Sequence, residues 1–175
     1  IVTELKGGRV QPAPLKTLVI GLGNPILGDD GIGWQVAAAV EREMIANGSR
    51  YPNVEVDCFA LGGLSLMERL IGFERAIIID AFQTNDGQPG QIYNLSLTDL
   101  PDYSTGHTTA VHDTSLQTAL RLGREMGAEL PDVVDIVGIE AEQVYEFSEE
   151  LTPVVAAAKP EAVRLVKRLL LTTEP

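Results

Sequence analysis

The sequence predicts a three-layer α/β sandwich, in which a twisted, mostly parallel sheet of about five strands is flanked by helices. Short apolar runs alternate along the chain with segments whose apolar residues recur at helical spacing. Turn residues such as Asn-Gly and Gly-Gly separate these segments. At 175 residues, without a linker or an internal repeat, we expect a single domain, 1–175, in which residues 1–15 form a flexible N-terminal arm.

The first half of the chain contains three predicted strands and two predicted helices. A helix follows the first strand because Ile32, Val36, Val40 and Met44 recur every fourth residue and share one face. Alternating apolar and acidic residues at 54–58 indicate a strand near the edge of the sheet, whereas the uninterrupted apolar run 76–79 indicates a central strand that ends at Asp80. The predicted elements are strands 17–21, 54–58 and 76–80, and a second helix over 64–71.

The second half is predicted to add two strands and two helices. A polar loop, 96–112, follows strand 91–95 and is long enough to be functional. Thr114 and Gln117 have the spacing of a capping box and predict a helix from 114 to about 126. After a strand over 133–139, Thr152 is expected to cap a last helix that extends to about Leu171, with a kink near Pro160.

Composition limits the possible partners and location. A net charge of −12 and an isoelectric point near 4.5 argue against nucleic acid and against anionic membranes, which both require a basic surface. No apolar run approaches the roughly 20 residues of a membrane span. The single Cys58 cannot form an internal disulfide, which fits a reducing compartment. We therefore expect a cytoplasmic protein, and a monomer.

Residues 21–33 form a glycine-rich segment between the first strand and the first helix, where α/β sheets commonly bind ligands. Two of its glycines have the spacing of a phosphate-binding loop, but Asp29 and Asp30 occupy the positions of the lysine and the hydroxyl residue. The dinucleotide pattern also fails, because Ile26 stands where its third glycine should be. Two carboxylates would repel a phosphate, so we predict a turn that presents acids to a cation or a polar substrate.

Familiar nucleophile and zinc-protease patterns are missing from the sequence. It has no Gly-x-Ser-x-Gly elbow, and its two histidines do not have the His-Glu-x-x-His spacing. Cys58 has no basic neighbour in sequence that would lower its pKa, so we interpret it as an inert thiol. Acids and a histidine at loop ends remain as candidates for chemistry.

Three of these side chains are expected to meet at one edge of the sheet. Asp30 follows the first strand and Asp80 ends the central one, and the carboxyl ends of parallel strands share an edge. His112 joins them if its loop folds over that edge, and His107 is the alternative histidine. Two carboxylates and an imidazole suit a divalent transition metal. The alternatives are that Asp29 or Asp30 caps the first helix, that Asp80 accepts loop amides, and that His112 is an ordinary packed or surface residue.

The motifs resemble those of the maturation endopeptidases of nickel-iron hydrogenases. The likeness rests on residues 21–33, on Ile-Ile-Asp-Ala at 78–81 and on Val-Gly-Ile-Glu at 137–140, and it extends from about residue 15 to 171. It implies an α/β enzyme that removes a C-terminal extension from a hydrogenase large-subunit precursor after nickel insertion. By motif it places the metal-contacting, catalytic residues at Asp30, Asp80 and His112. The chain departs from the family pattern at Gly63-Leu64, where many members have Gly-Thr, and at 108–111.

The resemblance also suggests how the substrate is recognised. Nickel would arrive bound to the precursor, and the three side chains would complete its coordination shell. The cation would then polarise the scissile carbonyl or lower the pKa of a water, while a displaced carboxylate serves as general base. We expect further substrate contacts from the loops around the site, at Asn24, Asp29, Gly62 and Gly63, although Asn24 has the alternative role of stabilising its own turn.

Two other functions remain open at this stage. The chain is also consistent with a non-catalytic, nickel-dependent assembly module that binds the same precursor. Peptidyl-tRNA hydrolases share the Gly-Leu-Gly-Asn-Pro that occurs here at 21–25, but their following Thr-Arg-His-Asn is absent and the acidic charge suits tRNA poorly.

Overall fold

A computed structural model describes residues 15–46, 48, 51–60, 62–99 and 111–172. Most of the predicted N-terminal arm and His107 therefore lie outside the described residues. Among the described helices, none has both the length and the apolar character needed to cross a lipid bilayer. The strands are β1 Thr17–Leu22, β2 Val54–Phe59, β3 Arg75–Phe82, β4 Ile92–Ser96 and β5 Val133–Glu140, and the helices are α1 Ile32–Ala46, α2 Gly63–Leu70, α3 Val111–Glu125 and α4 Pro153–Leu171.

The five strands form one sheet in the order β2-β1-β3-β5-β4. All neighbouring pairs are parallel except β4 with β5, which is antiparallel. This arrangement confirms the predicted mostly parallel sheet, and it places β2 at an edge, as its alternating sequence indicates. The buried strand β3 lies in the centre between β1 and β5.

Successive residues of the central strands contribute to two separate apolar layers. In β3, Ala76 and Ile78 pack on the layer that holds α2 and α3, whereas Ile77 and Ile79 pack on the layer that holds α1 and α4. Alternation of side chains across a strand explains this division. The result is the three-layer sandwich that the sequence predicts, with helices covering both faces of the sheet.

The start of α3 differs from the prediction. The helix begins at Val111, so Thr114 lies inside its first turn, and the predicted capping box is wrong. Gln117 instead donates from Nε2 to the carbonyl oxygen of Leu97 at 2.8 Å. His112 consequently belongs to the first turn of α3 and does not close a loop ahead of it.

The ends of two other elements also shift. β3 continues to Phe82, so Asp80 lies within the strand and does not end it. Thr152 precedes α4 as predicted, and Pro153 opens the helix, but the Thr152 side chain does not cap it. Its hydroxyl instead contacts the carboxylate of Asp29.

Candidate functional site

The carboxyl ends of the parallel strands β1, β3 and β5 lie together at one end of the sheet, which we call the carboxyl edge. It is distinct from the two sides of the sheet, which are formed by the outer strands β2 and β4. The first turn of α3 lies there too. After α3 the chain returns to the opposite edge, where Gly72 N–H donates to Glu129 O at 2.9 Å and Asp132 N–H donates to Glu74 O at 3.2 Å, just ahead of β3. A helix of 15 residues spans about 22 Å, close to the length of the strands, so its start reaches the carboxyl edge.

Asp80 is buried near the end of β3. It shares the strand face of Ile78 and Phe82, which is the side of the sheet covered by α2 and α3. Its Oδ1 accepts a hydrogen bond from the N–H of Ala81 at 2.9 Å. In register it lies opposite Gly138 of β5. Asp80 is therefore a fixed carboxylate on the same face of the sheet as α3, whose first turn contains His112.

Asp30 lies in the 3₁₀ turn Gly28–Gly31, between β1 and α1. Its side chain is partly exposed, and Oδ2 accepts a hydrogen bond from the N–H of Asn24 at 2.6 Å. Within the described part of the chain, Oδ1 accepts none. Asp30 thus has one oxygen that holds the loop and another that is available to a ligand.

The glycines of this loop allow close packing of backbone against backbone. Gly23 has φ of +113°, and a Cβ there would overlap the carbonyl oxygen of Asp30. A Cβ on Gly33 would overlap the carbonyl oxygens of Leu22 in β1 and Ile79 in β3. Gly23 and Gly33 therefore allow the 3₁₀ turn and α1 to lie close to the sheet, which positions Asp30.

Asp29, next to Asp30, is completely buried at 0% exposure. Its Oδ2 accepts from the N–H groups of Glu142 and Gln143 at 2.9 and 3.0 Å, and its Oδ1 accepts from the N–H of Thr152 at 2.7 Å. The Thr152 hydroxyl contacts both oxygens, at 3.1 and 2.9 Å. These contacts favour a structural role for Asp29, joining the first loop to the loop 141–152, over the predicted contact with substrate.

Asn24, Gly62 and Gly63 occupy turns at the carboxyl edge. The side chain of Asn24 accepts from the N–H of Ile26 at 3.2 Å, and its carbonyl accepts from the N–H of Leu27 at 3.1 Å. This geometry favours the turn-stabilising alternative for the Asn24 side chain. Gly62 and the partly exposed Gly63, which has φ of +62°, lead from β2 into α2.

The sequence of this chain is similar to that of a known protein family. Residues 35–169 match the model of a family described as hydrogenase maturation protease. The chain belongs to this family. The matched range contains Asp80 and His112, whereas the first loop with Asp30 precedes it.

Several known proteins are similar to this chain over most of its length. The hydrogenase 2 maturation protease of Escherichia coli is 29% identical over 153 residues, covering 87% of this chain and 88% of the relative. The hydrogenase expression/formation protein HupD of Rhodobacter capsulatus is 28% identical over 155 residues, covering 86% and 71%. The solved structure of the hydrogenase maturating endopeptidase HybD from Escherichia coli superposes with a TM-score of 0.74 at 28% identity, covering 90% of this chain and 93% of that one.

In this member of the family, the third predicted site residue lies at the start of α3. His112 lies in the first turn of α3, and His107 falls outside the described residues. No group of three His, Cys, Asp or Glu in the part of the chain that the structure describes has the geometry of a metal site. The described site therefore consists of Asp30 and Asp80 at the carboxyl edge, with the start of α3 beside them.

Glu140 is a buried acid for which no role is predicted from the sequence. It accepts from the Thr84 N–H at 2.6 Å and from the Tyr93 hydroxyl at 2.9 Å. Burial raises the pKa of Tyr93. The hydrogen bond with Thr84 opposes this rise in pKa, whereas the hydrogen bond with Glu140 and the negative charge of Glu140 add to it. Glu140 thus fixes the β3–β4 loop beside the site. An acid at the end of an apolar strand is the signal that identifies it in the sequence.

The surroundings of Cys58 are consistent with the inert thiol that the sequence predicts. Its thiol is partly buried, and burial followed by the negative charges of Asp57 and Glu41 raises its pKa. A raised pKa keeps the thiol protonated near neutral pH, and the thiolate is the reactive form. These surroundings favour an inert side chain over a nucleophile.

Proposed function

We propose that this family member is a cytoplasmic, monomeric endopeptidase that removes the C-terminal extension of a nickel-iron hydrogenase large-subunit precursor once nickel has been inserted. The observation that carries the proposal is the pair of carboxylates, Asp30 and Asp80, at the carboxyl edge of a maturation-protease fold. The start of α3, which contains His112, lies at the same edge.

Nickel belongs to the substrate in this proposal. A donor set of carboxylates and one imidazole suits a divalent transition metal. Asp30 is suited to a metal that arrives with a partner, because it is partly exposed and its Oδ1 accepts no hydrogen bond from a described residue. Asp80 is buried and held by the N–H of Ala81, so it would offer a fixed ligand. The enzyme would then bind the loaded precursor in preference to the empty one.

The test is cleavage of the precursor with and without nickel. The protein is incubated with a hydrogenase large-subunit precursor from its own source, and the intact mass of the precursor is measured before and after. We expect loss of a short C-terminal peptide from the nickel-loaded form alone. Equal cleavage of both forms would contradict the metal checkpoint.

Substitution of Asp80 tests the site itself. Asp80→Asn keeps the size of the side chain but removes its charge, so cleavage of the loaded precursor should be lost. Asp132→Asn is the matched control, because Asp132 is exposed at the opposite edge of the sheet and its substitution should leave wild-type cleavage unchanged. A folded Asp80→Asn variant that still cleaves would disprove the role of Asp80. Binding of loaded precursor by the wild type without any change of mass would instead favour the assembly-module alternative.

A further inference from the structure

The loop 141–152, between β5 and α4, exposes two aromatic side chains beside the site. Tyr145 is 74% exposed and Phe147 is 86% exposed, the highest value among the large hydrophobic side chains that the structure describes. Ile26, from the loop that contains Asp30, is 45% exposed. Its carbonyl accepts a hydrogen bond from the N–H of Ser148 at 3.1 Å, so the two loops run side by side.

This loop is held firmly despite its exposed aromatics. Gly28 N–H donates to Ser148 O at 2.7 Å and Asp29 N–H donates to Gln143 O at 2.9 Å. The buried carboxylate of Asp29 binds the loop near both its ends, at Glu142 and at Thr152. Aromatic rings on a fixed backbone lose little conformational freedom when they bind a partner. The loop therefore has the physical character of a docking surface.

The charge of the loop indicates what binds there. Residues 141–152 contain four glutamates and no lysine or arginine, and all four glutamates are exposed. Acids around exposed aromatic rings are complementary to a segment that combines basic and apolar side chains. A nucleic acid or an anionic membrane would be repelled.

We infer that Tyr145, Phe147 and Ile26, with the surrounding glutamates, form a docking surface for a basic, apolar segment of the precursor. This inference rests on the proposed function, because the surface adjoins the loop of Asp30 and would hold the precursor while its metal reaches the site. The contacts of this surface stabilise the bound precursor and the transition state of its cleavage equally. It therefore lowers KM and leaves kcat unchanged.

The first experiment removes both rings in the full chain. We expect Tyr145→Ala/Phe147→Ala to raise KM for nickel-loaded precursor about tenfold, with kcat within about twofold of wild type. Met126→Ala is the matched control, because Met126 is 78% exposed at the far end of α3, at the opposite edge of the sheet. It should keep the wild-type KM. An unchanged KM in the double variant overturns the inference.

The second experiment removes charge without removing apolar area. Glu149→Gln/Glu150→Gln should raise KM about threefold. Glu129→Gln/Asp132→Asn removes the same charge at the opposite edge, where both residues are exposed, and should leave KM unchanged. Equal effects of the two pairs would show that total charge, not this surface, attracts the precursor, and would overturn the inference.

Two further outcomes separate this inference from the proposed function. If the wild type does not cleave loaded precursor at all, the proposed function fails, whatever the variants do. If the wild type cleaves but sediments as a dimer that Tyr145→Ala/Phe147→Ala converts to a monomer, the surface binds a second copy of the chain. That result overturns the docking of precursor and the proposed monomeric state, while leaving the proposed cleavage of the precursor intact.

Discussion

Two adjacent aspartates illustrate how neighbouring residues take different roles. Asp29 and Asp30 both lie in the 3₁₀ turn Gly28–Gly31, but their side chains leave the turn in different directions. Asp29 accepts three backbone N–H groups and a hydroxyl from residues over a hundred positions away, whereas Asp30 accepts one N–H from six positions away. These contacts favour a structural role for Asp29 and leave Asp30 as the candidate site residue of the pair.

Paired substitutions should separate these roles. Asp29→Asn replaces one acceptor oxygen by an NH₂ group that faces N–H donors, so it should lower the free energy of unfolding by about 3 kcal/mol. Asp30→Asn should lower it by less than about 1 kcal/mol, since one partly exposed hydrogen bond is affected, yet it should abolish cleavage of loaded precursor. Urea unfolding followed by circular dichroism measures the first quantity. Equal destabilisation by the two changes would contradict the assignment.

Cys58 offers a second test at the scale of one residue. Because burial and the nearby acids raise its pKa, less thiolate is present at pH 8 than in a free thiol. Alkylation of Cys58 by iodoacetamide at pH 8 should therefore be several times slower than alkylation of N-acetylcysteine, and its rate should still be rising at pH values where the free thiol has levelled off. Mass spectrometry of the intact protein follows the reaction. A rate equal to or above that of the free thiol would refute the inert assignment.

At the scale of elements, local patterns predict the strands and helices well but not the contacts between distant loops. The period of the apolar residues predicts the sheet and both helical layers. The hydrogen bonds of Asp29 join residues 29 and 142–152, so no local pattern contains them. The start of α3 differs from the prediction for a similar reason, since the Gln117 side chain donates to the carbonyl of Leu97, twenty positions away.

Gly33 allows a test of how α1 is packed on the sheet. An alanine inside a helix is normally more stable than a glycine by roughly 0.5–1 kcal/mol. At Gly33, however, a Cβ would overlap carbonyl oxygens of both β1 and β3, so we expect Gly33→Ala to lower the free energy of unfolding by about 3 kcal/mol.

Gly72 is the matched control for that substitution. It has φ of +82°, but a Cβ there would meet nothing within 4 Å, so Gly72→Ala measures backbone strain without crowding. We expect it to cost only about 1 kcal/mol. Thermal or urea unfolding of both variants gives the comparison. A stabilised Gly33→Ala protein would show that the close approach of α1 to the sheet is not required.

Across the whole molecule, the two edges of the sheet differ in charge and in use. Arg75, at the start of β3, is buried and paired with Asp135 at 2.7 Å, and it also donates to the carbonyl of Thr172 just after α4. At the carboxyl edge, the loops 23–31, 83–91 and 141–152 contain seven acids and no lysine or arginine. A buried ion pair thus lies at one edge, and the excess of acids in these loops gives the proposed site at the other edge a negative field.

That field should accelerate the encounter with a positively charged precursor segment. Screening shortens from about 30 Å at about 0.01 M ionic strength to about 10 Å at about 0.1 M, so kcat/KM for loaded precursor should fall severalfold over this range, while kcat at saturation stays constant. Glu149→Gln/Glu150→Gln should show a shallower dependence on salt. Glu129→Gln/Asp132→Asn should retain the wild-type slope, because those charges lie at the opposite edge and contribute little to the field at the site. Identical slopes for both variants would mean that the net charge of −12 acts as a whole and that the carboxyl edge has no directing role.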